Sequence, residues 1–204
     1  MAAPLLVLDK LDKQYRTPWP SRRVTFSLEA DLVFERPAIV GMMGPNGAGK
    51  TTLFEMMTGS NEPTAGRVLC CGKDIHRVKY AERDRLAIHY HQSYQVRHFH
   101  RRVPSFLLES AGSPYPMVHL FDEPQFNTQD GYIGFMLDFF RRLRAEDRLV
   151  FVCLHPNEPY HLEILREICE RFVFVQKGRA RAVADFAALT ADADVRAYLG
   201  DLAP

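Results

Sequence analysis

No apolar run in these 204 residues approaches the roughly eighteen that a membrane-crossing helix needs, so the sequence offers no helical span. Charge of one sign is lacking as well. Lys and Arg number 26 against 25 Asp and Glu, a net +1. That balance excludes a whole-molecule electrostatic grip on nucleic acid and leaves only a local patch open. Cysteine is scarce, and Cys70, Cys71, Cys153 and Cys169 form no C-x-x-C pair. A disulfide framework is therefore not expected, and free thiols in a reducing compartment are. The start, Met1-Ala2-Ala3-Pro4-Leu5-Leu6, lacks a basic n-region. The expectation is no signal peptide and a cytoplasmic chain, with any membrane role coming through a partner. Repeats, low-complexity tracts and clear linkers are missing too. What remains is a globular composition, 47% hydrophobic, of a length that suits one α/β domain over 1–204.

Within it, an apolar run Ala38 to Met43 ends in Gly44-Pro45-Asn46-Gly47-Ala48-Gly49-Lys50-Thr51-Thr52, and helical spacing follows from Thr51 to Met57. This is the G-x-x-x-x-G-K-[ST] phosphate loop in its strand–loop–helix setting. Glycines let the backbone bend so that several N–H groups face one anion, toward which the helix also points its positive end. Lys50 supplies a mobile charge for β- and γ-phosphates, and the Thr51 hydroxyl suits Mg²⁺. The spacing thus predicts a bound nucleoside triphosphate.

Short strands are expected at Leu5 to Leu8, Arg23 to Leu28, Gly66 to Leu69, Ala87 to Tyr90, Met117 to Phe121, Leu149 to Leu154 and Phe172 to Val175. Helical spacing marks Tyr132 to Arg144, Glu158 to Glu170 and one closing helix from Asp185 to Leu199. Strands alternating with helices predict a largely parallel core. The run Val118-His119-Leu120-Phe121 leads into Asp122-Glu123-Pro124. A strand ending there can set Asp122 beside the phosphate loop to hold Mg²⁺, while Glu123 polarises an attacking water as general base. The plain alternative is a solvated acidic turn.

Together these residues resemble the nucleotide-binding subunit of ATP-binding cassette (ABC) proteins, in order along nearly the whole chain. The resemblance implies an α/β P-loop NTPase fold, with a mixed sheet around a parallel core and an antiparallel β lobe from the N-terminal third. It matches Leu11-Asp12-Lys13-Gln14-Tyr15 to the adenine-stacking A-loop, with Tyr15 the aromatic; the alternative is a core tyrosine. Gly44 to Thr52 matches the family's loop without departure. Ile88-His89-Tyr90-His91-Gln92 resembles the Q-loop, so Gln92 would reach the Mg²⁺ or the attacking water, with Gln95 its competitor. Asp130 stands where the D-loop aspartate is expected, one residue further on than usual. Val150 to His155 resembles the switch strand, whose histidine, His155, would contact the γ-phosphate; a structural histidine is the alternative.

One family feature is absent. Members carry a Leu-Ser-Gly-Gly-Gln signature on a helical subdomain between the Q-loop and the Asp-Glu pair. Here no Ser-Gly-Gly occurs, and thirty positions separate Gln92 from Asp122. A single helix already averages about 11–12 residues, so several helices do not fit. The helical subdomain is expected to be reduced or absent, with about 93–116 a short replacement. In the family two subunits sandwich ATP, and the signature completes the γ-phosphate cage across the interface. A symmetric pair of this chain should therefore be a poor ATPase, short of donors for the transition-state charge.

The replacement region, His89-Tyr90-His91-Gln92-Ser93-Tyr94-Gln95-Val96-Arg97-His98-Phe99-His100-Arg101-Arg102, is not family-standard. Its two H-x-H pairs would suit Zn²⁺, and its cations and aromatics would suit RNA, single-stranded DNA or anionic headgroups. A polar loop facing a partner protein is the preferred reading. The implied function is the ATP-binding subunit of a membrane transporter, using ATP and Mg²⁺ and working with a membrane permease and a second ATPase subunit or a self-dimer. It would sit at the inner face of the membrane through those partners. A non-transport ATP-gated switch or assembly factor, or a regulatory subunit that binds ATP and barely hydrolyses it, are the alternatives.

Overall fold

A computed structural model describes residues 3–90, 116–124 and 132–204. Gln92, Gln95, Asp130 and nearly all of 93–116 lie outside the described residues. One ten-stranded sheet forms from β1 (Leu6–Arg16), β2 (Val24–Phe34), β3 (Ala38–Met43), β4 (Ala65–Cys70), β5 (Lys73–Asp74), β6 (Ala87–Tyr90), β7 (Val118–Asp122), β8 (Leu149–Cys153), β9 (Arg171–Gln176) and β10 (Arg179–Val183). Its order is β5-β4-β1-β2-β10-β9-β3-β8-β7-β6. The half from β9 to β6 is parallel, with β3 between β8 and β9. β1 pairs antiparallel with both β2 and β4, giving the expected antiparallel lobe.

All six residues of β3 are buried, because both faces of the sheet are covered. Strand alternation divides them. Val40 and Met42 join one core cluster with Phe54 and Phe151, and Ile39 and Met43 join the other with Phe121, Phe140 and Leu165. Helix α1 (Lys50–Met57) covers the first face, helix α2 (Tyr80–Leu86) lies against β6, and α3 (Tyr132–Ala145) and α4 (Pro159–Ile168) cover the second. Two helices, α5 (Phe186–Ala191) and α6 (Ala193–Leu199), close the chain where one was expected. Asp192 ends the first and caps the second, accepting from the N–H groups of Asp194 and Val195 at 3.0 and 3.1 Å. Further departures lie along the chain. β1 runs on through the segment expected to connect two strands, while α2 and β10 are additional elements.

β7 also buries a histidine completely. His119 Nδ1 lies 3.0 Å from the Tyr90 hydroxyl and Nε2 3.0 Å from the Pro116 carbonyl. Burial pushes this imidazole down to about 3; the Pro116 carbonyl opposes the shift and Arg148 reinforces it. The folded protein therefore keeps His119 neutral where the unfolded chain, near 6.5, takes up a proton. Stability from this group is complete above about pH 6.5 and is lost as the pH falls from there toward the folded value. The gap between parent and His119→Leu, measured by urea unfolding, should narrow by up to about 1.4 kcal/mol per pH unit below that point. A gap that stays constant from about pH 7.5 to 5 would show that the imidazole is not buried as a neutral base.

Candidate nucleotide site

Three strand ends meet at the carboxyl edge of the parallel half, the position at which open α/β sheets bind ligands. β3 delivers the glycine loop and β7 the Asp122-Glu123 pair, and His155 stands two residues past the end of β8 at Cys153.

The loop's shape is forced at two glycines. Gly44 has φ 151°, and a Cβ there would lie 2.0 Å from the Val175 carbonyl oxygen on β9. Gly49, at φ 106°, would bring a Cβ to 2.8 Å from Phe26. Only glycine lets the chain leave β3 this close to its neighbours and then turn into α1. The first bond of that helix is Leu53 N–H to the Gly49 carbonyl at 2.8 Å. By helix geometry the N–H groups of Lys50, Thr51 and Thr52 precede it, so they face the loop as donors for an anion. Lys50 is 7% exposed, and its ammonium donates to the carbonyls of Gly44 at 2.6 Å and Pro45 at 3.0 Å. An ammonium has three donors, so one remains for a phosphate oxygen.

Asp122 is 6% exposed, which rules out a solvated acidic turn. The Thr51 hydroxyl donates to its Oδ2 at 3.0 Å, and His89 Nε2 lies 3.5 Å from the same oxygen. Burial alone would raise this carboxyl. The contacts from His89 and Thr51 outweigh it and hold Asp122 below the ordinary carboxylate value. An ionised carboxylate beside a threonine hydroxyl is a hard-oxygen donor set, and it fits Mg²⁺. Glu123 follows at φ 48°, a left-handed conformation uncommon for a residue with a side chain. Its N–H is pinned to the Cys153 carbonyl at 2.9 Å. The bend takes Glu123 off strand alternation, so both acids line one cleft of about 360 Å³ with Tyr15, Asn46, Gly47, Gly49 and Lys50. A larger hollow of about 530 Å³ opens on the other side of the loop, past Ala48, but neither acid lines it. Lys50, Thr51 and both acids line the smaller one.

Tyr15 is 39% exposed at the cleft's mouth, so it is not a core tyrosine. Its hydroxyl accepts from Asn61 at 2.8 Å, Phe26 packs against the ring at 6.0 Å, and the Lys13 ammonium lies 5.1 Å from its centroid. His155 is half-buried, and its Nδ1 is 2.8 Å from the Tyr198 hydroxyl of α6. Gln92 lies outside the described residues, as do His91, His98 and His100 of the Zn²⁺ reading. Among the described residues no three His, Cys, Asp or Glu side chains gather as a metal cluster. Sequence reasoning grouped His89 with that histidine run. The parallel pairing of β6 with β7 instead sets it against Asp122, edge-on to Phe54 with centroids 5.5 Å apart. Tyr198 was missed altogether, since nothing in a terminal helix marks a partner 43 residues back in the chain.

The family model described as ABC transporter matches residues 29–130, which span the loop and both acids. The thiamine import ATP-binding protein ThiQ of Vibrio parahaemolyticus is 28% identical, covering 92% of this chain and 94% of that one. That alignment is 236 positions long against a chain of 204, so it opens gaps on this side. The spermidine/putrescine import ATP-binding protein PotA of Thermobifida fusca is 36% identical over 83 residues, 41% of this chain and 21% of that protein. The match therefore spans about a fifth of one relative and nearly all of the other. A solved structure of a nucleotide-free ATP-binding cassette from an ABC transporter superimposes with a TM-score of 0.70 at 16% identity, covering 96% of this chain and 98% of that one. At that identity the likeness concerns the fold, an α/β cassette with a mixed sheet.

Proposed function

Because the chain belongs to the ABC transporter family, we propose that it is the ATP-binding and ATP-hydrolysing subunit of a transporter, driven by Mg-ATP bound between the glycine loop and the end of β7. The observation that carries this is the Thr51–Asp122 hydrogen bond, which joins loop and strand end in one cleft lined also by Glu123. Tyr15 stacks on adenine. Gly44, Asn46, Gly47, Ala48 and Gly49 shape the cradle. Lys50 and the amides of Thr51 and Thr52 hold the phosphates. Thr51 and Asp122 would hold Mg²⁺, with Gln92 as a further ligand. When bound, that ion offsets negative charge on the β- and γ-phosphate oxygens. Glu123 accepts the proton of the attacking water, and His155 donates to the γ-phosphate.

Among the described residues no helix is long and apolar enough to cross a membrane. Transport accordingly places a permease beside this chain, which would hold it at the membrane. The relatives named for thiamine and for spermidine/putrescine import favour that arrangement over a free-standing switch. The missing Ser-Gly-Gly favours a second, complete ATPase subunit as partner over a self-dimer, in which each site would meet the same deficient surface. Phosphate release by the purified chain and by its native complex tests this. The complex should turn over at least about a hundredfold faster, the scale of losing charge-stabilising donors at a transition state. An isolated chain as fast as the complex would overturn the partner requirement.

A further inference from the structure

The phenol of Tyr198 stands at a junction that the family reading leaves unused. Its oxygen lies 2.8 Å from His155 Nδ1 with the two ring centroids 5.8 Å apart. One side chain therefore ties the last helix to the histidine after β8. The junction is held firmly. Val195 and Leu199 bury α6 in the core, Phe174 packs against the Tyr198 ring at 5.9 Å, and Asp192 both caps the helix and pairs with Arg181 at 2.6 Å.

Burial, with Cys153 and Glu123 adding to it, keeps this phenol protonated well above its ordinary range. It therefore has one O–H to give. Among the described residues the acceptor within reach of that O–H is His155 Nδ1, so the arrangement that satisfies the buried donor has the O–H donating there. An imidazole that accepts at Nδ1 carries its proton on Nε2 when neutral.

We infer that Tyr198 is a positioning residue for His155, fixing the neutral imidazole as the Nε2–H form and so leaving a donor, not an acceptor, for the γ-phosphate. The inference rests on the reading of His155 as the γ-phosphate contact. A packing tyrosine would hold the helix equally well but would leave the imidazole proton unassigned.

Two measurements on the full chain test it. In nucleotide-free protein labelled with ¹⁵N-histidine at about pH 8, above the ordinary histidine range, the His155 signals are assigned by their loss in His155→Ala. Nε2 should show the shift of a protonated ring nitrogen and Nδ1 that of an unprotonated one, and in Tyr198→Phe the separation should narrow. A protonated Nδ1 in the parent would overturn the proposal. Second, Tyr198→Phe should weaken ATP about fivefold while ADP changes less than about twofold, on the scale of one hydrogen bond. His155→Ala should lose at least as much of the ATP preference. If His155→Ala loses that preference and Tyr198→Phe keeps it, the positioning role is refuted. If both variants keep it, the γ-phosphate contact itself is wrong, and the role given to Tyr198 falls with it. Phe retains the ring that packs against Phe174, so both readings come from folded protein.

Discussion

Lys50→Ala is expected to cost at least about a hundredfold in ATP affinity and to leave the fold standing. Lys50 already donates to the Gly44 and Pro45 carbonyls, at 2.6 and 3.0 Å, which places its ammonium directly over the bend. A hydrogen bond to a charged group contributes about 1.5–3 kcal/mol, and each 1.4 kcal/mol is tenfold in affinity. Losing the charge also releases the two carbonyls that the ammonium gathers, so the cradle loses its tie as well as its cation. The fold should pay less, about 1 kcal/mol, because the residue closes a loop and fills little of either core cluster. Titration calorimetry with Mg-ATP checks the first effect, and a thermal melt without nucleotide checks the second. Lys50→Arg should not restore binding, since a planar guanidinium cannot substitute for a compact ammonium in so tight a bend. An unchanged affinity in Lys50→Ala would remove the loop from the nucleotide site.

The loop and both acids were legible because their signals are local. A run of six apolar residues, the glycine spacing, and a second apolar run ending in Asp-Glu each declare a strand end without help from the rest of the fold. Where the reading failed, the cause is a local rule overridden by geometry. Leu6 and Leu8 point into the core, but the pairing with β2 shifts register between Leu8 and Leu11, where Lys10 takes φ 47°. That bulge moves the next inward residue to an odd position, so the alternation breaks and β1 reads as a short strand followed by a connection. β10 is Arg-Ala-Arg-Ala-Val, poor in strand formers; it forms because Lys177 and Gly178, at φ 48° and 72°, fold it back onto β9. α2 buries only Leu86 and so carries no apolar stripe to read.

The site divides the same way. Tyr15 and His155 are candidates singled out through order along the chain, which a family resemblance preserves. His89 on Asp122 and Tyr198 on His155 are contacts between elements distant in sequence, and their residue types gave no warning. The sequence grouped His89 with His91, since an H-x-H pattern reads as one face of a strand. In the fold, pairing with β7 sets His89 beside the carboxylate of Asp122.

Glu123→Gln should lower kcat of the native complex by about 10²–10⁴, the range of a lost general base, and leave KM for ATP within about threefold. The two acids lie side by side in sequence but their surroundings separate their work. Asp122 is buried, takes the Thr51 hydroxyl at 3.0 Å with His89 at 3.5 Å, and is held ionised below its ordinary range; an anion so engaged suits a cation ligand. Glu123 is half-exposed, turned by its left-handed backbone into the cleft and anchored there through its own N–H rather than its side chain. A carboxylate placed that way can receive a proton without dismantling the site. Glutamine keeps the volume and the turn but cannot take the proton, so binding survives and chemistry stops. Asp122→Asn should show the opposite split, with ATP affinity losing its dependence on Mg²⁺ before any effect on the proton transfer is felt. Single-turnover phosphate release alongside nucleotide titration separates the two. A Glu123→Gln complex that turns over at the parental rate would hand the base to another residue, and equal loss of affinity in both variants would mean that the pair acts as one metal site.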